Sequence, residues 1–376
     1  MRIAFHAPAA AWLEPGPTGD RVFIGSLVAG LRARGHEISF VSRVDARDFW
    51  RHRVPSRRLI SEAISVCRRM KKLSPDAWFV YAPYIKYPDM FGWWQRPKRY
   101  ILFSAGAGPG TELPRGWRWL FRFAHRRSLR RADKVVTFAP RTLDALRSAG
   151  VPEERLCILP PAVKAGDWMP SREEARRRLG LPQEAPIILC VSRLTGPRDD
   201  GKPWKTESVL ELLDALALAA LPPDAVFVLV GDGPSRQRVE EKVAKLKLCG
   251  KVRLVGSVPH DNLKWFYAAC DFFAFPDQRD LLRLAMLEPQ ACGRPVVTMH
   301  TRSAELTVEA GRTGLLAKDL GQFQAHLAAL ASDRARCESM GKGGPEYVVK
   351  FHSHRDPRAA DREPASRPQV TMAASR

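Results

Sequence analysis

The chain has 376 residues, more than one hydrophobic core usually organises, so two domains of ordinary size are expected. With 45% hydrophobic and 27% charged residues it is neither disordered nor fibrous, and no stretch approaches twenty uninterrupted apolar residues, which excludes a spanning helix. The formal net charge of +21 implies an anionic partner (nucleic acid, a lipid surface or a phosphorylated substrate) without choosing among them.

The opening residues, Met1 to Pro8, are too short an apolar run for a secretory signal, which points to the cytoplasm. Ile3 to Phe5 reads as a strand, followed by a loop through Gly19. Phe23, Ile24, Leu27, Val28 and Leu31 then recur at helical spacing, with Gly35 as the stop, and Ile38 to Val41 is the next strand. This is a βαβ unit and implies a parallel sheet. Gly19, leading into the first helix, is a candidate for letting an anion approach the helix N-terminus; the plain alternative is a loop glycine.

Further along, residues 113–131 interleave arginines with Trp117, Trp119, Phe121 and Phe123. Arg118, Arg122 and Arg126 fall on one helical stripe and Trp117, Leu120 and Ala124 on another. With Trp93-Trp94 nearby, this suits an anionic membrane surface; the alternative is an ordinary helix packed on its sheet. Residues 1–165 hold 30 basic against 13 acidic residues, whereas 166–345 hold 25 against 23. The charge excess therefore belongs to the first half, and the shift supports a boundary near 165.

In the second half, Ile187 to Val191 is a buried strand, and Val209, Leu210, Leu213 and Leu216 mark a helix. Val226 to Val230 is a strand ending at Gly231-Asp232-Gly233. Further strands are read at Val252 to Val255, Phe272 to Phe275 and Pro295 to Thr298. Both halves are thus α/β domains with doubly wound parallel sheets, at 1–165 and 166–345, and residues 346–376 read as a disordered tail. A ligand belongs at the C-terminal ends of the strands, in the cleft between the domains. Arg236 occupies the third glycine position of the would-be dinucleotide fingerprint, and no Walker A sequence is present, which disfavours the usual NAD and ATP enzymes. Seven cysteines without CxxC spacing suggest reduced thiols, with neither a disulfide frame nor a zinc site.

An ordered series of segments resembles the retaining glycosyltransferases called family four, which have the GT-B fold. It comprises Pro17-Thr18-Gly19, Arg131 to Val136, Val191-Ser192-Arg193-Leu194, Gly231-Asp232-Gly233-Pro234, Tyr267-Ala268-Ala269-Cys270-Asp271, Leu287-Glu288 through Val297, and Gly311 to Leu316. The resemblance implies two Rossmann-like domains facing across a cleft, the second binding a nucleoside-diphosphate sugar with Gly231 and Gly233 at its glycine turn. It also implies that Arg193 and Lys205, with Lys202 as a rival for the lysine, clamp the donor diphosphate. It places the family's paired acids at Asp280, toward the donor sugar, and Glu288, toward the ribose. No cofactor or metal is implied, because the cations meet the growing charge of the leaving diphosphate. The resemblance further implies a glycan or lipid-linked acceptor at the inner face of the membrane, in bacterial envelope polysaccharide or glycolipid synthesis; no nucleic-acid module is recognised. Taken singly, Arg193 and Lys205 would read as solvated cations, Glu288 as an exposed helix residue, and Asp280 as a helix cap; His260 reads as a turn residue.

The chain also departs from the family pattern. Aspartate stands for glutamate at 280, Arg283 for a glycine, and Pro289 for a helix former. A first-domain histidine is absent from residues 101–106, and the usual last helix is missing from the tail. These departures motivate an alternative, a catalytically weakened homologue that binds nucleotide or a partner.

Overall fold

The computed structural model describes residues 1–8, 19–42, 44, 56–84, 88–95, 97–103, 115–137, 140–159, 163, 169–196, 205–278 and 284–352. Within these, two six-stranded sheets form. The first contains β1 (Arg2–His6), β2 (Glu37–Phe40), β3 (Ala77–Tyr81), β4 (Tyr100–Phe103), β5 (Lys134–Thr137) and β6 (Leu156–Ile158), in the order β2-β1-β3-β4-β5-β6. The second contains β7 (Ile187–Val191), β8 (Val226–Val230), β9 (Val252–Gly256), β10 (Phe272–Phe275), β11 (Val296–Met299) and β12 (Gly314–Ala317), ordered β12-β11-β10-β7-β8-β9. Every strand pair is parallel.

The sequence explains the parallel sheets. Ala77–Tyr81 and Phe272–Phe275 are continuous apolar runs, buried at every position, as strands covered by helices on both faces must be. The strand order reverses between β1 and β3 in the first sheet and between β7 and β10 in the second. These are the topological switch points, where loops part and leave a crevice at the carboxyl ends of the strands.

In the first unit, α1 (Gly19–Ala33) covers one face through Ile24 and Val28. The opposite face is covered by α2 (Ser56–Leu73), the short α3 (Gly92–Gln95), α4 (Arg115–Arg131) and α5 (Pro140–Ser148), which share a core holding Val66, Phe91, Leu129 and Leu146. The start of α3 is fixed by the buried Asp89. Its Oδ1 accepts from the N–H groups of Phe91 (2.9 Å) and Gly92 (3.0 Å), and its Oδ2 accepts from Trp78 Nε1 (2.8 Å) and Tyr100 OH (2.7 Å).

The second unit begins with α6 (Arg172–Leu179), capped by Ser171, whose side chain accepts from the Glu174 N–H. Two arginines of α6 converge on Asp271 just before β10. Arg176, fully buried, donates to Asp271 Oδ2 at 2.8 Å, and Arg172 pairs with Oδ1. Asp271 Oδ2 also accepts from the Ile187 N–H at 2.6 Å, so one carboxylate ties α6, β7 and β10 together. The remaining helices are α7 (Lys205–Leu218), α8 (Arg236–Lys245), α9 (Leu263–Ala269), α10 (Leu284–Ala291), α11 (Arg302–Glu305), α12 (Leu320–Ser332), α13 (Arg334–Gly341) and α14 (Gly343–His352).

α14 corrects one expectation. Residues 346–352 are helical, not part of a disordered tail; residues 353–376 lie outside the described residues. The helix forms because Pro345 falls in its first turn, where a missing N–H costs nothing, and because Tyr347 and Val348 are buried. Val348 packs with Leu287 of α10 and Val163, whose N–H donates to His352 O at 2.8 Å. Since Val163 follows the last strand of the first sheet, α14 joins the second unit to the chain leaving the first. The two units also meet through an ion pair between Arg302 Nη2 and Asp144 Oδ2 at 2.6 Å.

Candidate functional site

Of the residues singled out above, Arg193, Gly231, Gly233 and Glu288 follow the C-terminal ends of strands of the second sheet. After β7 the chain enters a loop, 192–196, whose backbone is held against the end of β8. The Ser192 N–H donates to Val230 O and the Leu194 N–H to Asp232 O, each at 3.0 Å. Between these two anchored residues stands Arg193, exposed and without an ion-pair partner among the described residues. The loop is fastened from the other side as well. Thr195 O accepts from Thr206 Oγ1 (2.6 Å) and Ser235 Oγ (3.3 Å). Thr206 is the second residue of α7, so Lys205, its first residue, has its backbone beside the loop that carries Arg193. The Lys205 side chain, Lys202, Asp280 and Arg283 lie outside the described residues.

Gly231 and Gly233 make this approach possible. Their φ angles are 140° and 152°, a region closed to most side chains, and a Cβ on Gly231 would stand 1.9 Å from Ser192 O. On Gly233 it would stand 2.3 Å from Leu194 O. Their own N–H groups are already used, that of Gly231 on Gly256 O (2.8 Å) and that of Gly233 on Asp232 Oδ1 (2.7 Å). In this structure both glycines let the two loops pack together, and both of their N–H groups already have protein acceptors. Gly19 is the first residue of α1 in the other unit, after β1.

Glu288 sits in α10, the helix that follows β10 on the far side of the switch point from Arg193. Both of its oxygens are engaged. Oε2 accepts from Tyr267 OH at 2.5 Å, and Oε1 is 3.0 Å from His260 Nε2. Tyr267 is on α9 and buried; its phenol is pushed well above the ordinary value by burial and by the neighbouring carboxylate. His260 is exposed, and the hydrogen bond to Glu288 raises its imidazole above the ordinary value against the opposing effect of burial. A carboxylate has about four lone-pair positions, so two bonds fix its orientation and leave acceptor capacity for a ligand's hydroxyls.

Pro289, the next residue, is buried inside α10. It removes one N–H from the helix, and its carbonyl accepts instead from the N–H groups of Cys292 (3.0 Å) and Arg294 (2.9 Å) at the helix end. The side chain of Gln290 supplies further ties, Nε2 donating to Met286 O (2.6 Å) and Thr307 O (2.8 Å). The helix thus persists for eight residues with a proline in it.

Sequence reasoning missed His260 as a site residue. Its partner lies 28 positions away, and no spacing rule links a turn residue to a helix in the next βα unit. Tyr267 was visible within the Tyr267-Ala268-Ala269-Cys270-Asp271 segment, but the roles of its two ends were not: Tyr267 orients Glu288, and Asp271 anchors α6. All seven cysteines are free; Cys190, Cys270 and Cys337 are buried, and burial pushes the Cys270 thiol up to about 12.

The sequence model of the Glycosyl transferases group 1 family matches residues 171–347, and that of the Glycosyl transferase 4-like domain matches residues 18–162. A 2-deoxystreptamine N-acetyl-D-glucosaminyltransferase of Streptomyces fradiae is 34% identical over 250 residues, covering 61% of this chain and 57% of the relative. A GDP-mannose-dependent alpha-(1-6)-phosphatidylinositol monomannoside mannosyltransferase of Mycolicibacterium smegmatis is 30% identical over 255 residues, covering 62% of this chain and 63% of the relative. The chain thus spans less than two thirds of the length of these relatives. Among solved structures, Anabaena Alr3699/HepE in complex with UDP superposes with a TM-score of 0.70 at 18% identity, over 94% of this chain and 96% of that one. Both halves are thus matched in order, the first unit by the Glycosyl transferase 4-like domain and the second by the Glycosyl transferases group 1 family, and the two parallel sheets form the GT-B fold.

Proposed function

We propose that the protein is a glycosyltransferase that moves a sugar from a nucleoside-diphosphate donor to a glycan or lipid-linked acceptor, with retention at the anomeric carbon. In that reaction the bond from the anomeric carbon to the diphosphate oxygen breaks and a bond to an acceptor hydroxyl oxygen forms. Negative charge collects on the leaving diphosphate, and fixed cations that meet it there lower the barrier.

The observation that carries this reading is Arg193, an exposed cation with no ion-pair partner among the described residues, on a loop tied at both flanks, across the switch point from an oriented carboxylate, Glu288. Arg193, with Lys205 or Lys202, takes the diphosphate, and Glu288 takes the ribose hydroxyls. Asp280 takes the donor sugar. Gly19, at the head of α1, faces the donor from the first unit. No metal is required, because the guanidinium and ammonium groups carry the charge compensation. The relatives and the UDP-bound neighbour support a nucleotide-sugar donor. The pathway we favour is bacterial envelope polysaccharide or glycolipid synthesis, with the protein in the cytoplasm and its acceptor at the inner face of the membrane. No described helix is long and apolar enough to cross a membrane.

A second reading has its own support. Both oxygens of Glu288 already have protein partners, and Pro289 removes one N–H from the helix that presents it, which favours binding of a nucleotide without turnover. Incubation of the purified protein with sugar nucleotides separates the two. Release of nucleoside diphosphate, faster with acceptor present, supports the transferase; binding without release supports the weakened homologue.

A further inference from the structure

The first unit has an outer surface that the donor site does not use. It is formed by α2, α3 and α4, which lie side by side over one face of the sheet. The Trp93 ring of α3 meets Phe123 of α4 edge-on at 5.7 Å, and Gln95 Nε2 of α3 donates to Cys67 Sγ of α2 at 3.1 Å. The inward residues Val66, Met70, Phe91 and Leu129 belong to one core, so the opposite sides of these helices face water together.

What faces water is unusual. Ile60 and Ile64, one turn apart on α2, are 61% and 48% exposed, and Trp119 and Phe123, one turn apart on α4, are 68% and 51% exposed. Trp94 on α3 adds a third exposed aromatic ring. Folded surfaces scatter single apolar side chains, but here five large ones stand exposed on three adjoining helices.

The phase of α4 differs from the sequence expectation. Phe121, Ala124, His125 and Ser128 face inward and Arg118 is half-buried, so Trp119 and Phe123 come out beside Arg122 and Arg126. The Trp117 side chain lies outside the described residues.

Charge surrounds the apolar residues. Together α2 and α4 contain thirteen basic residues and one acid, Glu62, which is only 16% exposed. A merely solvated helix balances its signs, and the second unit does so: Arg236 pairs with Glu240 and Arg334 with Glu338, each at i,i+4. Arg122, Arg126 and Arg127 on α4 have no ion-pair partner among the described residues. An anionic partner would neutralise them.

We infer that the α2–α3–α4 face docks the protein on an anionic lipid bilayer. Isoleucine, tryptophan and phenylalanine enter the boundary between headgroups and acyl chains, and the flanking arginines meet the lipid phosphates. A nucleic acid would satisfy the arginines but would leave Ile60 and Ile64 in water. The inference shares with the proposed function only a lipid-borne acceptor. Vesicle binding is read without donor or acceptor, so either can fail alone.

The test is co-sedimentation of the full chain at 0.15 M salt with vesicles of phosphatidylcholine alone or containing phosphatidylglycerol. Binding only to the anionic vesicles is expected, with the partition coefficient falling tenfold or more in Arg122→Glu/Arg126→Glu. The apolar variant Ile64→Ser/Trp119→Ser should also lose at least tenfold, while Arg238→Glu on α8 of the other unit binds as the parent does. Circular dichroism confirms that each variant is folded. Equal or negligible binding to both vesicle types would overturn the inference. So would retention of binding by the apolar variant, or binding to single-stranded RNA with none to vesicles.

Discussion

His260 Nε2 and Glu288 Oε1 stand 3.0 Å apart, joining the turn after β9 to the helix after β10. The contact raises the imidazole pKa above its unfolded value near 6.5. A raised folded-state pKa means that protonation favours the folded protein. The stabilisation is therefore complete below pH 6.5 and disappears as pH climbs through the raised value. Because His260 is 47% exposed, solvent screening keeps the contribution to about 0.5 kcal/mol. Urea midpoints at pH 5.5 and 8.5 should differ less in His260→Asn than in the parent.

The glycine turn after β8 gives a larger effect. Gly231→Ala places a Cβ at 1.9 Å from the Ser192 carbonyl oxygen in a conformation alanine avoids. A loss of about 2–3 kcal/mol in stability is expected. Nucleotide affinity should fall with it, since the displaced loop carries Arg193. Chemical denaturation and calorimetric titration check the two effects separately.

Far from the proposed donor site, Asp271 holds two buried arginines. Asp271→Ala leaves Arg172 and Arg176 without their carboxylate and should cost about 3–5 kcal/mol. The variant would unfold at markedly lower urea concentration, or fail to accumulate folded. A parent-like midpoint would show that the cluster contributes little.

Arg193→Ala should behave in the opposite way. Its side chain is exposed and has no ion-pair partner among the described residues, so stability should change by less than about 0.5 kcal/mol. Turnover should fall on the order of 100-fold if the guanidinium meets the leaving diphosphate. Activity in the parent should survive a chelator, since no metal is required in the proposed mechanism.

The elements that sequence made legible are those with a repeating signal. Buried strands such as Ile187–Val191 announced themselves as apolar runs, and Gly231-Asp232-Gly233 marked the end of β8. The position of Arg193 followed from its place just after such a strand. What was hidden depended on contacts between distant residues. α14 was obscured by Gly343-Gly344-Pro345, which resembles a helix breaker, although a proline in the first turn is harmless. The packing role of Gly231 and Gly233 was hidden because the atoms they approach lie in the neighbouring loop, at Ser192 and Leu194. The outward face of α4 was misphased because the inward residues include His125 and Ser128, polar side chains that a hydrophobic count assigns to water.

The most direct test of the account is a thermal-shift screen of nucleoside diphosphates and their sugars against the parent chain and Glu288→Ala. A ligand bound only by the folded state adds about 2.7 kcal/mol of stability at one hundred times its dissociation constant. At least one sugar nucleotide should raise the melting temperature of the parent, and the shift should vanish in Glu288→Ala. No shift with any of them, or an equal shift in both proteins, would contradict a donor site built on Glu288.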